Sequence, residues 1–427
     1  MKKENNNIPE GYKDSPLGII PKEWEVKRLN LVFIFIRNNS LSRSELNEFY
    51  GKLLNIHYGD VLIKFGSILD TSTTKLPHVN DNVITNNITT DYLKDGDIVI
   101  ADTAEDDMVG KACEVIGIGK KVIVSGLHTI CIRPKINTFA PKFLGYFINA
   151  SLYHNQLLPL IQGIKVCSIS KQAIKNTLFL IPPISEQKKI AEILGTWDEA
   201  IEKQARIINL LEQRKRGLMQ QLLTGKKRLK GFDEAWRSIK LGEICKFIGG
   251  GTPSKSKEYF WNGDIPWISS SDLSDGSIYS CNISRYITKQ AINDSATRLI
   301  PKGSLLIVSR VGIGKVAIAP CDLCVSQDFT CCIDIQGDAI YLAYIIKKLM
   351  TVKAYQSQGT SIKGIKGATI HNLSILMPSL KEQIAIAKIL VAADNEIGLI
   401  TQKLENLQKQ KKGLMQILLI GGKRVNI

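Results

Sequence analysis

Apolar residues along this chain follow two patterns. In two long stretches they recur at helical spacing, and elsewhere they gather in short β-branched runs. Positions 190, 194, 197, 201, 204, 208, 211, 215, 218 and 222 alternate steps of four and three, and eight of the ten are apolar. Positions 386, 390, 393, 397, 400, 404, 407, 411, 414 and 418 repeat the series with nine apolar residues. Such heptads predict two long helices that bury a seam. Its candidate pairing residues are Ile190, Leu194, Trp197, Ile201, Ile208 and Leu211 in the first and Ile386, Leu390, Ile397, Ile400, Leu404 and Leu407 in the second. Each helix has an obvious partner in the other, although either could pack on its own domain. Pro182-Pro183 and Pro378 mark the starts, and Gly225 and Gly421-Gly422 fit as stops. Lys215 and Lys411 interrupt both seams at one register, so either they snorkel or the seam has ended there.

The two stretches are copies. Residues 182–228 align without gaps on 378–424, with 20 of 47 positions identical, among them Glu186/Glu382, Gln187/Gln383, Asp198/Asp394 and Lys215/Lys411. Upstream the repeat persists weakly, in Trp24/Trp236, Asp60/Asp272, Gly96/Gly303 and Ser125/Ser326 at a drifting offset. The plan is therefore variable unit 1–181, constant unit 182–229, variable unit 230–377 and constant unit 378–427. Within the variable units, runs such as Asp97–Ala101, Lys121–Ser125, Ser304–Val308 and Lys315–Ile318 predict strands, and 141–151 and 339–355 predict helices. The expected class is α+β, two β-rich domains in tandem, each followed by a long helix.

Composition narrows the function. The chain has 427 residues and a formal net charge of +16, which calls for a polyanionic partner, either nucleic acid or an acidic membrane surface. The first residues lack the apolar core of a secretion signal, and Leu31–Ile36 is too short to span a bilayer. With nine cysteines, an odd count, the expectation is a soluble cytoplasmic protein with reduced thiols. Most of the charge sits at the helix ends, +7 in 213–232 and +5 in 403–424. Cations suit helix C-termini, but these clusters could also face DNA or an acidic partner surface.

Catalytic motifs are missing. There is no P-loop, no amino-methyltransferase loop around Pro182-Pro183, and no zinc-protease, serine-hydrolase or proline–aspartate nuclease signature. Cys321, Cys324, Cys331 and Cys332 could in principle ligate zinc, but their spacing is short, and small buried thiols are the default. What remains are loops suited to phosphates and base edges, through glycines, hydroxyls and a few cations. In the second variable unit they carry Thr252, Ser254, Lys255 and Lys257, then Ser269, Ser270, Ser271 and Asp272. Arg310 and Lys315 follow, then Thr360, Ser361, Lys363 and Lys366. The first unit offers His57, Tyr58, Asp60, Lys64, Lys165 and Ser168. For any one of them an ordinary solvated loop residue is the default, because loops are generically polar.

The helix motif P-x-x-x-E-Q-x-x-I-A-x-I-L-x-x-x-D, complete at 182–198 and again at 378–394, resembles the specificity subunits of type I restriction-modification systems. Gly251-Thr-Pro253, Ile265-Pro-Trp267-Ile268 and Ser309-Arg-Val-Gly-x-Gly-Lys315 carry the likeness through the second variable unit. The first unit lacks the last of these and the Gly-Thr-Pro loop. The resemblance implies a non-catalytic subunit whose variable units are target recognition domains, each reading half of a split double-stranded DNA site. It implies an antiparallel helix pair that acts as a spacer ruler and docks two modification subunits, joined by restriction (motor-nuclease) subunits. S-adenosylmethionine, ATP and Mg²⁺ would belong to those partners. The alternative is a coiled-coil scaffold whose globular units bind protein.

Overall fold

The computed structural model describes residues 8–80, 90–106, 108–135, 138–357 and 364–426. It divides into two compact units, Met1–Lys203 with Leu404–Ile427, and Gln204–Lys403, so each gathers one β-rich region and half of each long helix.

In unit 1 the principal strands are β1 (Glu25–Arg28), β2 (Phe33–Ile36), β3 (Leu53–Ile56), β4 (Ile68–Asp70), β5 (Ile98–Ala101), β6 (Ala112–Ile116), β7 (Val122–Ser125), β8 (Thr129–Pro134) and β9 (Leu178–Ile181). Helices α1 (Tyr58–Ile63), α2 (Phe143–Ile148) and α3 (Ser151–Leu157) connect them, and β9 leads into α4 (Ile184–Leu222). One sheet has the order β2-β8-β5-β6-β4, a second pairs β7 parallel to β3, and β9 closes antiparallel on β1. The central strand β5 is buried on both faces, which is why it reads as an unbroken apolar run. Ile98 and Ile100 enter the core beneath α2 and α3, whereas Val99 and Ala101 enter the core shared with Ile56 and Ile123 of the second sheet. The stretch 141–151, expected as one helix, is broken. Asn149 turns its amide to Ala112 of β6 (Nδ2 to O, 2.8 Å), and Ala150 is extended.

Unit 2 repeats this frame. Its principal strands are β10 (Arg237–Lys240), β11 (Lys246–Gly249), β12 (Ile265–Ile268), β13 (Leu305–Val308), β14 (Val316–Ile318), β15 (Leu323–Val325), β16 (Phe329–Ile333) and β17 (Ser374–Met377). Helix α5 (Ala339–Ser357) covers one face, and α6 (Leu380–Leu418) follows β17. The order β11-β16-β13-β14 matches β2-β8-β5-β6, β15 runs parallel to β12 as β7 does to β3, and β10 pairs with β17 as β1 does with β9. Leu305 and Ile307 face one core, Leu306 and Val308 the other. Cys331 and Cys332, adjacent on β16, likewise point into different cores rather than toward a common ligand.

Helices α4 and α6 each run 39 residues, about 58 Å at 1.5 Å per residue. Of the seam residues, Ile190, Leu194, Ile386 and Leu390 are buried. Trp197, Ile201, Ile208, Leu211, Ile397, Ile400, Leu404 and Leu407 are partly buried, as expected of a two-helix seam open to solvent at its sides. In unit 1 the start of α4 lies antiparallel to the end of α6, with Lys411 on Asp198 and Arg424 on Glu186. In unit 2 the roles exchange, with Lys215 on Asp394 and Arg228 on Glu382. The two seam lysines therefore neither snorkel nor mark an end. Each neutralises an aspartate of the facing helix and lies over a tyrosine ring, Lys411 over Tyr146 and Lys215 over Tyr344.

The other identical residues of the repeat hold the same joint. Trp24 Nε1 donates to Glu186 at 2.8 Å, and Trp236 Nε1 to Glu382 at 3.0 Å. Gln187 and Gln383 cap backbone groups of their own units, accepting from Ala140 and Asp338 N–H and donating to Pro182 and Pro378 carbonyls. Gly421 turns at φ +72° against Pro21 and Trp24, where any side chain would collide. Because Glu186 is 1% exposed and Arg424 only partly shielded, we expect Glu186→Ala to cost unit 1 about 2 kcal/mol, mainly through the stranded indole N–H. Urea unfolding checks this, with Arg424→Ala as the milder comparison.

Candidate nucleic-acid interface

In both units the loops following the parallel strand pair and the central strand meet at one end of the sheets. In unit 2, Thr252 Oγ1 donates to Gln327 (2.5 Å), and Ser326 N–H donates to the Ile268 carbonyl (2.9 Å). Ser309 N–H donates to the Asp328 carbonyl (2.8 Å), and Ile365 N–H to the Ser309 carbonyl (2.7 Å). These bonds bring the Thr252, Ser269–Asp272, Arg310–Lys315 and Lys366 segments together from four separate regions of sequence.

Within that cluster the candidate residues divide. Arg310, Ser254, Lys255, Lys257, Ser271 and Lys366 are exposed, and Lys257 lies over the Phe260 ring at 4.9 Å. Ser270 is buried, and Lys315 donates to its carbonyl (3.2 Å), so both shape the turn. Ser269 and Asp272 form a reciprocal capping box, and Arg285, stacked on Trp267 at 4.6 Å, holds the Asp272 carboxylate. Asp272 thus positions the loop, and Arg285 is a member of the site that the sequence did not single out. Thr360, Ser361 and Lys363 lie outside the described residues.

Unit 1 builds the same end with other side chains. Asp60 is buried, and Arg43 grips it with two bonds (2.6 and 3.2 Å), with Lys64 at 3.0 Å. Burial opposes its ionisation, but these cations prevail and hold its carboxyl below the usual range. Asp60 thus holds its loop in place, as Asp272 does. His57 caps α1 by accepting from Gly59 N–H (3.1 Å), and burial and then Arg43 push its imidazole pKa down. Tyr58 is partly exposed between the His57 and His128 rings, at 4.7 and 5.3 Å. Lys165 and Ser168 are exposed, and Ser168 pairs with Thr103 across a two-residue ribbon. His128 and Asp102 (3.4 Å apart), with Thr103, also belong to this end. The available signal was the Ser125/Ser326 repeat, which places 126–128 beside this loop.

The basic helix ends divide between internal ion pairs and exposed charge. Of the thirteen cations in 213–232 and 403–424, Arg214, Lys215, Arg228, Lys411 and Arg424 bind carboxylates of their own unit. The rest, from Arg216 and Lys226 on α4 and its exit to Lys412 and Lys423 at the end of α6, lie exposed.

Comparison with known proteins agrees with this architecture. The type I restriction modification DNA specificity domain matches twice, at residues 21–213 and 233–409. The chain is 28% identical over 434 residues to a putative type I restriction enzyme MjaX specificity subunit of Methanocaldococcus jannaschii, covering 97% of both. It is 31% identical over 236 residues to the EcoR124I/EcoR124II specificity subunit of Escherichia coli, covering 52% of this chain and 56% of that one. Its fold is similar to the S subunit structure from M. genitalium (TM-score 0.54, 14% identity, covering 100% and 99% of the two chains). It is also similar to a chain of a type I R-M system solved for its assembly and conformational transition (TM-score 0.60, 17% identity, covering 95% and 99%). No helix among the described residues is long and apolar enough to cross a membrane. With two family domains in tandem, each ending in a long helix, this chain belongs to the type I restriction-modification DNA specificity family.

Proposed function

We propose that this chain is the DNA-reading subunit of a type I restriction-modification assembly, cytoplasmic and without catalytic activity of its own. Each unit reads one half of a split, asymmetric duplex target. The observation that carries this reading is the paired loop end, built twice on one backbone frame and furnished with different polar side chains each time. Two reading heads of one frame and different chemistry suit two different half-sites, much as dimer symmetry suits palindromes.

On this reading the recognition domains are 1–181 and 230–377, and the helical regions 182–229 and 378–427 set the spacer. Exposed Ile207, Leu210 and Leu399 on the helices offer apolar surface to partner subunits. The partners are two modification subunits and the restriction subunits, and S-adenosylmethionine, ATP and Mg²⁺ serve those chains. The test is to co-express the chain with its modification subunit in a host lacking adenine methylation and to map methylated adenines across the genome. A split motif with unlike halves is expected; methylation without a motif, or none that depends on this chain, overturns the reading.

A further inference from the structure

The two reading ends share a hydrogen-bond pattern, and it aligns positions whose side chains differ. In unit 1 the residue after β5, Asp102, donates its N–H to the carbonyl of His128 (3.1 Å) and accepts at its own carbonyl from Ile169 N–H (2.9 Å). In unit 2 the residue after β13, Ser309, donates to the carbonyl of Asp328 (2.8 Å) and accepts from Ile365 N–H (2.7 Å). Strand register agrees, since Ile130 faces Ile100 as Thr330 faces Ile307. Hence Asp102 corresponds to Ser309, Thr103 to Arg310, and His128 to Asp328. The frame is retained, Ile169 and Ile365 included, while the side chains at these three positions differ.

In unit 1 these side chains form one small cluster. His128 adopts φ 55°, a left-handed conformation that few residues with a side chain occupy, and its side chain is 46% exposed. Its Nδ1 lies 3.3 Å from Thr103 Oγ1 and 3.4 Å from Asp102 Oδ1, while the ring meets Tyr58 edge-on. With Nδ1 engaged, Nε2 is the ring nitrogen left to meet a ligand. In unit 2 the place of Thr103 is taken by exposed Arg310, a side chain able to grip a guanine edge with two bonds.

We infer that Thr103 and His128 are specificity-determining residues of unit 1, reading bases at the position in its half-site that Arg310 reads in the half-site of unit 2. The inference rests on the DNA-reading function proposed above and adds to it which side chains discriminate. A strained backbone that holds a half-exposed imidazole against three polar or aromatic neighbours fixes the direction of its free nitrogen, and a base contact needs that fixed direction.

The experiment is the methylation map repeated with His128→Asn, Thr103→Val and Arg310→Ala in the full chain with its modification subunit. Asn tolerates the left-handed backbone, so His128→Asn removes the ring without straining the turn. His128→Asn and Thr103→Val are each expected to relax one or two adjacent bases of one half-site, admitting the wrong base at least tenfold more often. The other half-site and the spacer should stay unchanged, which also shows that the variant folds and assembles. Arg310→Ala should relax the opposite half-site alone. A split wild-type motif that both unit 1 variants leave intact, or variants that degrade both halves together, would overturn the assignment. A wild-type chain that yields no split motif would overturn instead the underlying DNA-reading function.

Discussion

Asp394→Ala is expected to lower the stability of unit 2 by about 3 kcal/mol, whereas the symmetry-related Asp198→Ala should cost unit 1 no more than about 1 kcal/mol. The two aspartates hold identical places in the repeat and make the same bonds, each to a lysine of the facing helix and to a tyrosine hydroxyl. They differ in solvent. The Lys215 and Asp394 side chains are 11% and 8% exposed, but Asp198 is 43% exposed opposite Lys411 at 13%. Removing Asp394 strands a buried ammonium over the Tyr344 ring, with the Gly276 carbonyl at 3.5 Å left to receive it among the described residues. Removing Asp198 lets water replace the carboxylate. For a unit of roughly 200 residues, about 3 kcal/mol corresponds to a fall of roughly 6–12 °C in melting temperature. Lys215→Met combined with Asp394→Leu should recover most of the loss, because an apolar pair of similar volume needs no desolvation of charge. Thermal and urea unfolding of the full chain check all three variants. Equal losses for the two aspartates, or no recovery in the double variant, would show that burial does not govern this joint.

That joint also marks where sequence reading reached its limit. The heptads, the repeat and the identities Glu186/Glu382, Gln187/Gln383, Asp198/Asp394 and Lys215/Lys411 were all visible, because a gapless offset of 196 exposes them. Their purpose was not, because the partners come from distant segments. Glu186 meets Trp24 and Arg424, and Asp394 meets Tyr344 and Lys215. Net charge pointed outward, to DNA or an acidic surface, yet five of the cations behind it close contacts inside their own units. At the reading ends, hydroxyls and cations in glycine-rich loops singled out segments of unit 2 that the fold brings together, Arg310 among them. Thr103 and His128 differ in type from Arg310 and Asp328, so only the flanking identities Gly96/Gly303 and Ser125/Ser326 hinted at them, and the hydrogen-bond register fixes the correspondence. Asp60, buried, and Asp272, partly buried, stood out for the opposite reason. A repeated acid beside a loop reads as function until Arg43 and Arg285 are seen to hold it.

Raising the pH from 5 to 8 should destabilise unit 1 through Glu114, by about 3 kcal/mol across the window. Helix α2 begins without a capping side chain of its own, and Glu114, reaching from β6, accepts the N–H groups of Lys142 (2.6 Å) and Gly145 (2.9 Å). Burial outweighs those bonds and raises its carboxyl from 4.5 to about 7. Below about pH 4.5 the group is protonated whether folded or not, so it contributes no pH dependence. Between about 4.5 and 7 the folded chain keeps a proton that the unfolded chain releases, and stability falls steadily as pH rises. Above 7 the full penalty applies. His57, whose imidazole burial pushes down, slopes the other way by losing stability as pH falls below its ordinary 6.5, so wild type alone is a blurred readout. The difference between wild type and Glu114→Gln isolates the carboxyl. The variant should be the less stable protein near pH 5, since one amide oxygen replaces two acceptors, and the more stable near pH 8, so the two curves cross. Unit 2 supplies the contrast. Its equivalent strand position, paired with Leu305 as Glu114 is with Ile98, is Ile318, and α5 is capped instead by Asp338 through Tyr341 N–H (2.8 Å). Urea unfolding at pH 5, 6, 7 and 8 reads the result, and parallel curves for wild type and Glu114→Gln would show that the buried carboxyl does not titrate in this range.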